Sequence, residues 1–449
     1  MSTKKQPNVL LLFPDSHRGD WMPYDSDTLQ AAGLEQLGGR MPNIRKLMDR
    51  GVTFTHAVTP APLCAPARAC LAAGVRYEQC GTPSNEANFP LDKRTFYSVL
   101  REAGYRVGAV GKFDLHKPVH WWGLNGWLDE LETLGFTDGI DNAGKIDAVV
   151  SGKEEPKDPY MKYLHDRGLA ELHVQDMTGR RGHGTAPTEL PEDAYCDNWL
   201  TSNGLQLLSE FPADQPWFLM VNFTGPHGPW DITKSMKEAW EGVPLPLPNR
   251  WDKDTDELAV EIRRNYAAML ENIDRNIGLL LEEIERRGEL DNTIVIYTSD
   301  HGEMLGDFNR FGKCVPYRGS VHIPLVVSGP GMREGVLTPA LVELQDLAAT
   351  IVEYADAAMP EAVGSMSLKH VLEGGTEQVR TYQVAGLDAD GRHTKHTWRM
   401  IADDRYKLHL TDGAEPELYD IAADPWENRN IAGEQPETME RLQRLAVEG

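Results

Sequence analysis

The sequence predicts an α/β protein: a large mixed, mostly parallel sheet sandwiched by helices, with a small C-terminal α+β subdomain. Three observations predict it. Short apolar runs alternate with helical patterns over most of the chain, which is the signature of a parallel sheet covered on both faces. Asp15, Lys112, His227 and the pair Asp300-His301 each fall just after one of those runs, where such sheets place their ligands. After about Leu372 the texture shifts to short strand-like segments and a final amphipathic helix.

Val9 to Phe13 is apolar at every position and ends at Pro14-Asp15. A run without alternation fits a central strand buried on both faces. Asn43 to Asp49 reads as a helix with Pro42 in its first turn, followed by a strand from Val52 to Ala57. Ala67 to Ala73 has helical composition. Phe96 to Ala103 is a helix, and Tyr105 to Val110 a strand ending at Gly111-Lys112. From about 138 to 193 charges, glycine and proline dominate, as in residues 179–185. This stretch is expected to be a long irregular insert, the kind that forms a lid or a substrate-binding excursion. Alternation resumes with a helix at Asp197–Ser209 and a strand at Trp217–Phe223 that leads to Pro226-His227. The longest helical pattern is Leu258–Arg287; strands follow at Thr293–Thr298 and Ile323–Ser328. The expected division is a large unit at 1–375 and a small one at 376–449. The small unit has strands at Val379–Ala385, Trp398–Ile401 and Tyr406–Leu410 and a terminal helix at Pro436–Val447.

The formal net charge of −24 repels phosphate backbones and argues against nucleic-acid partners. An enzyme for anionic esters on this chain needs local cations and a metal to reverse the field at its site. Cys64, Cys70, Cys80, Cys196 and Cys314 form an odd set without a CxxC pair, which favours a reducing compartment. The apolar run at Val9–Phe13 is too short for a signal segment, so a cytoplasmic location is expected. No apolar stretch is long enough to suggest a membrane partner. A homo-oligomer is left open. GxxxxGK[ST], GxSxG and HExxH are all absent.

The segment Leu63-Cys64-Ala65-Pro66-Ala67-Arg68 places a cysteine near a helix N-terminus and an arginine. Both favour an anion or a thiolate; the alternative is an inert buried cysteine. Asp300-His301 sits where a strand turns into a loop. With Asp15 it would supply two hard oxygens and one nitrogen, a set suited to Ca²⁺, Mg²⁺ or Mn²⁺. Taken singly, each lysine is a solvated charge and each histidine a structural one. Their joint order argues otherwise.

Cys64-x-Pro66-x-Arg68, with Gly74 six residues after the arginine, resembles the signature of the type I, formylglycine-dependent sulfatases of the alkaline phosphatase superfamily. The resemblance runs along nearly the whole chain. It takes in Asn8 to Asp15, Gly111-Lys112, Pro226-His227-Gly228-Pro229, Thr298 to Asp307, Phe311-Gly312-Lys313 and Glu417-Leu418-Tyr419-Asp420. The group includes arylsulfatases and the related phosphonate monoester hydrolases. It implies an alkaline-phosphatase-like fold and Cys64 oxidised to formylglycine by a maturation enzyme. It implies one divalent ion, Ca²⁺ foremost, on Asp15, residue 64, Asp300 and His301. Arg68, Lys112, His116, His227 and Lys313 would bind the ester and move protons, and the substrate would be a small sugar or aryl sulfate. The chain departs from the pattern at Ala67, Ala73 and Val75, and at Ser16, where many relatives carry a second aspartate. Asp114 stands at a usual histidine position, with His116 two residues later, and His322 at a usual arginine. Two other readings stand beside the sulfatase: a phosphonate monoester hydrolase or phosphodiesterase with the same site, and a non-catalytic binder of acidic sugars. The tryptophan-rich segment 120–127 is a candidate ring-stacking surface, or core.

Overall fold

The computed structural model describes residues 6–25, 34–151, 155–180, 184–359 and 364–448. Strands β1 (Asn8–Leu12), β2 (Gly51–Val58), β3 (Arg106–Gly111), β4 (Asp138–Asp141), β5 (Trp217–Asn222), β6 (Thr293–Thr298), β7 (Leu325–Ser328) and β8 (Val336–Glu343) form one sheet. Its order is β4-β3-β5-β1-β6-β7-β2-β8. Only β7 runs against its two neighbours; every other pair is parallel. The principal helices are α1 (Pro42–Asp49), α2 (Cys64–Ala73), α3 (Phe96–Glu102), α4 (Gly144–Ser151), α5 (Pro159–Asp166), α6 (Ala170–Gly179), α7 (Cys196–Glu210), α8 (Asp256–Arg286), α9 (Asp346–Tyr354) and α10 (Pro436–Glu448).

The unbroken apolar run of β1 has the physical cause expected of it. Val9, Leu11 and Phe13 pack into a core with residues of α2, α3 and α9. Leu10 and Leu12 point the other way, into a core with α1, α7 and α8. A strand with cores on both faces has no solvent side to keep polar. Four neighbouring parallel strands, β3, β5, β1 and β6, therefore end side by side, and the loops after them carry Lys112, His227, Asp15 and Asp300-His301.

A second sheet, antiparallel in the order β12-β11-β10-β9, is built from β9 (Gln383–Leu387), β10 (Trp398–Ala402), β11 (Tyr406–Thr411) and β12 (Glu417–Asp420). It docks on the large sheet's unit by specific bonds. Gly386 N–H donates to the Pro60 carbonyl at 2.9 Å, and Trp398 Nε1 donates to the Cys314 carbonyl at 3.0 Å.

Some expectations need correction. Among its described residues the stretch 138–193 is largely regular: it opens with edge strand β4 and continues through α4, α5 and α6, with 184–191 in neither helix nor strand. Tyr160, Met161 and Leu164 of α5 bury against Leu190, Trp199 and Leu200 in a small core of their own. Asp158 starts α5 by accepting from Met161 N–H at 2.9 Å, with Pro159 as first helical residue. Residues 181–183 of the glycine-rich example lie outside the described residues. Strand β8 was unread because Pro339 interrupts its pattern; an edge strand tolerates a proline that a central one would not. The first strand of the second sheet lies at Gln383–Leu387, not Val379–Ala385, and Glu417–Asp420 adds a fourth.

Candidate active site

Asp15, Cys64, Asp300 and His301 converge. Each offers a ligand atom within 4.8 Å of the others, and all four residues are buried. Cys64 Sγ lies 3.3 Å from His301 Nε2 and 3.9 Å from Asp15 Oδ1. His301 Nδ1 faces the Gly302 carbonyl at 2.9 Å, so Nε2 is the nitrogen turned to the cluster, and the backbone fixes the tautomer. Ser16 stands with φ of 73°. In that left-handed conformation its N–H donates to Asp300 Oδ1 at 3.1 Å and its hydroxyl to Asp15 Oδ1 at 2.9 Å. Ser16 thus orients both carboxylates.

Cys64 is the first residue of α2, after an extended Leu63. The side chain of Leu63 cannot cap the helix, and Asn85 Oδ1 takes the Ala65 N–H at 3.0 Å instead. The positive end of α2 faces the atom carried by residue 64. Arg68, one turn on, has five N–H donors. All are engaged: with Asp300 Oδ2 at 3.1 and 2.9 Å, the Lys112 carbonyl at 2.5 Å, Asn222 Oδ1 at 3.0 Å and Asp15 Oδ2 at 3.5 Å. Arg68 therefore braces the carboxylates from behind.

Lys112 Nζ reaches Asp15 Oδ2 at 2.5 Å and Asp114 Oδ2 at 3.1 Å. Lys313 Nζ lies 3.4 Å from Cys64 Sγ. The charges set each other's protonation. Burial opposes ionisation of Asp15, but Lys112, His227, Lys313 and His301 outweigh it and hold the carboxyl well below its ordinary range. Burial and Asp15 push the Cys64 thiol up; Lys112, Lys313 and His301 prevail and bring it well below the usual thiol value. Burial lowers Lys112, yet Asp114, Asp15 and Cys64 raise it further, so it stays charged.

Cys64, Lys112 and Lys313 of this cluster line a cleft of about 730 Å³, a volume that suits a small-molecule ligand. Lys112, Lys117, Lys145, Arg180, Lys313 and Arg392 line it, against Glu86, Asp147 and Glu303. The field of an acidic chain is locally reversed, as an anionic substrate requires. His227, half-buried, lines the cleft with its Nδ1 on the Gly228 carbonyl.

His116 and the tryptophan-rich segment are not among the cleft-lining residues. His116 is buried, and its Nε2 has no hydrogen-bond partner among the described residues. Asp114 is the residue of that segment that enters the charge network, bridging Lys112 and Lys117. Trp122 packs in the core of the insert; the tryptophan on the cleft is Trp230. His322 is buried with its Nε2 on the Thr55 carbonyl. The sequence reading missed Lys117, Lys145, Arg180, Arg392 and His393. The first follows Lys112 by five residues of irregular chain. The others come from the insert and the C-terminal hairpin, which offer no motif of strand plus loop.

The family model described as "Sulfatase" matches residues 7–357. A second, for the C-terminal part of N-sulphoglucosamine sulphohydrolase, matches residues 306–447. The chain is 25% identical to an arylsulfatase of Clostridium perfringens over 98% of its own length and 94% of that protein. It is 26% identical to an N-acetylglucosamine-6-O-sulfatase of Bacteroides thetaiotaomicron, covering 96% and 83%. The crystal structure of the phosphonate monoester hydrolase of Agrobacterium radiobacter superposes with a TM-score of 0.81 at 23% identity, over 98% of this chain and 95% of that one.

Proposed function

The chain belongs to the sulfatase family of sulfuric ester hydrolases, and from that premise we propose that it cleaves a small sulfate ester through residue 64 as formylglycine. One divalent ion would be held by Asp15, Asp300, His301 and residue 64. The observation that carries the reading is the meeting of those four residues, from distant stretches of chain, within 4.8 Å of one another. Two carboxylates and one oriented imidazole suit a hard or borderline ion, Ca²⁺ first, then Mn²⁺ or Mg²⁺. In the structure residue 64 carries a thiol, whose sulfur stands in for the oxygen of the modified side chain.

A bound ion supplies positive charge against ester oxygens and eases loss of a proton from a neighbouring hydroxyl. As a hydrated aldehyde, residue 64 supplies one hydroxyl to attack sulfur and a second whose deprotonation releases sulfate and restores the aldehyde. The rest is done by side chains already in place. Lys112 and Lys313 put two ammonium groups beside the reacting position, where they bind the non-bridging oxygens and spread the charge of the transition state. Lys313, half-buried and facing the cleft, gives a proton or hydrogen bond to the departing alcohol. His227, oriented through Nδ1, assists from the other wall. Arg68 and Ser16 hold the carboxylates so that their geometry does not have to be created on binding.

A second reading keeps the site and changes the ester to a phosphonate monoester. It is favoured by Ser16, which leaves the cluster without a further carboxylate. Parallel assays on an aryl sulfate and an aryl phosphonate monoester separate the two. The expected result is faster sulfate turnover; phosphonate turnover far above it overturns the ranking. Finding an unconverted thiol at position 64, in protein made beside a formylglycine-generating enzyme, would favour a non-catalytic binder.

A further inference from the structure

The rim of the cleft carries an acid–histidine pair that the chemistry above does not use. His393 lines the cleft from the hairpin between β9 and β10. Its Nδ1 lies 2.6 Å from Asp390 Oδ2. Asp390 Oδ1 accepts from the backbone N–H groups of Arg392 at 3.0 Å, His393 at 2.8 Å and Thr394 at 3.1 Å. Partial burial opposes its charge, but the His393 bond and these N–H groups hold its carboxyl well below the usual range. An ionised carboxylate can only accept, so the proton of a neutral His393 must sit on Nδ1. Nε2 then carries a lone pair and is an acceptor.

The position of this acceptor is set by the backbone that carries the chemistry. The base of the hairpin is tied to Pro60, four residues before Cys64, and to Cys314, which follows Lys313. Within it, Ala389 N–H donates to Thr397 Oγ1 at 3.0 Å. The side chains of His393 and Asp390 are 18% and 19% exposed, covered enough to be held and open enough to meet a ligand. The neighbouring Arg392 is engaged with Glu86 across the mouth of the cleft. With a lone pair Nε2 accepts from a hydroxyl, and carrying a proton it donates to one, so in either form it is a hydrogen-bonding atom for an alcohol.

We propose that His393 is a specificity-determining residue whose Nε2 hydrogen-bonds a hydroxyl on the alcohol part of the substrate, which favours the sulfate of a polyhydroxylated, sugar-like alcohol over an aryl sulfate. Asp390 is its positioning residue. This rests on the sulfate-ester reading of the floor.

The test measures kcat/KM for 4-nitrophenyl sulfate and for glucose, galactose and N-acetylglucosamine 6-sulfates, with wild type, His393→Ala and Asp390→Asn. One hydrogen bond is at stake, so the ratio of kcat/KM for the best sugar sulfate to that for 4-nitrophenyl sulfate should fall about tenfold in His393→Ala, mostly through KM. Asp390→Asn no longer obliges Nδ1 to carry the proton and should move the ratio the same way. Among single-deoxy analogues of the best sugar sulfate, one should lose about as much with wild type and nothing more with His393→Ala. Thermal midpoints report that each variant is folded. An unchanged ratio in a folded His393→Ala variant overturns the inference, as does a wild type that cleaves 4-nitrophenyl sulfate and none of the sugar sulfates. Absence of turnover on every sulfate ester would instead overturn the reading beneath it, and the inference with it.

Discussion

Around Cys64, which lines the cleft floor, Asp15, Asp300 and His301 are wholly buried, and Arg68 spends every N–H on a protein acceptor. At the rim the Arg392 side chain is 68% exposed and its partner Glu86 51%. The floor is assembled from the ends of adjacent strands, where a rigid sheet fixes each loop; the rim comes from the insert and from the hairpin of the second sheet. The difference separates two tasks. Chemistry needs charges held in a geometry that substrate does not disturb. Selection among substrates needs a surface that can change without unmaking the chemistry.

Substitutions should reveal that contrast by size of effect. Cys64→Ala removes the nucleophile and should cut turnover by about 10³-fold or more, with the thermal midpoint nearly unchanged. Lys313→Ala should lower kcat by about 10²-fold with a smaller change in KM, since its ammonium acts on charge that develops in the transition state. Arg68→Met leaves Asp15 and Asp300 without their brace. Breaking a buried pair from one side costs about 3–5 kcal/mol, which denaturant unfolding would register. Removing divalent ions with a chelator should lower the thermal midpoint, and returning Ca²⁺ at about a hundredfold its dissociation constant should restore about 2.7 kcal/mol. Asp300→Asn should abolish that restoration. Smallest of all, Arg392→Ala should change stability by less than about 1 kcal/mol, as befits an exposed pair. A large loss there would erase the distinction between floor and rim.

The same distinction governs what could be read from the sequence. β1, β5 and β6 are buried at every position and mostly apolar because both their faces are covered, and that signal is local. The loops that follow them and β3 carry Asp15, His227, Asp300, His301 and Lys112 close to strand ends, so these were legible, as was Cys64 at the start of α2. The insert was not. Its helices are short and charged, and their burial depends on Trp199 of α7, which no local pattern announces. The one local sign was Asp158-Pro159, a cap followed by a first-turn proline. The resemblance placed His116 near the site, but the left-handed turn at Asp114, with φ of 53°, goes with a chain that brings the carboxylate into the network instead. His393 gave only the turn signal Asp390-Gly391. That its ring meets a cleft built some 80 residues and more away in sequence follows from the docking of one sheet on another.

The central claim is that the modified side chain at position 64 performs the attack. It is tested most directly by preparing the protein with graded amounts of a formylglycine-generating enzyme. The converted fraction of the peptide containing residue 64 is then measured by mass spectrometry, beside kcat for an aryl sulfate in the same samples. The account predicts a straight line through the origin. Full turnover in a sample whose residue 64 is entirely cysteine would contradict it.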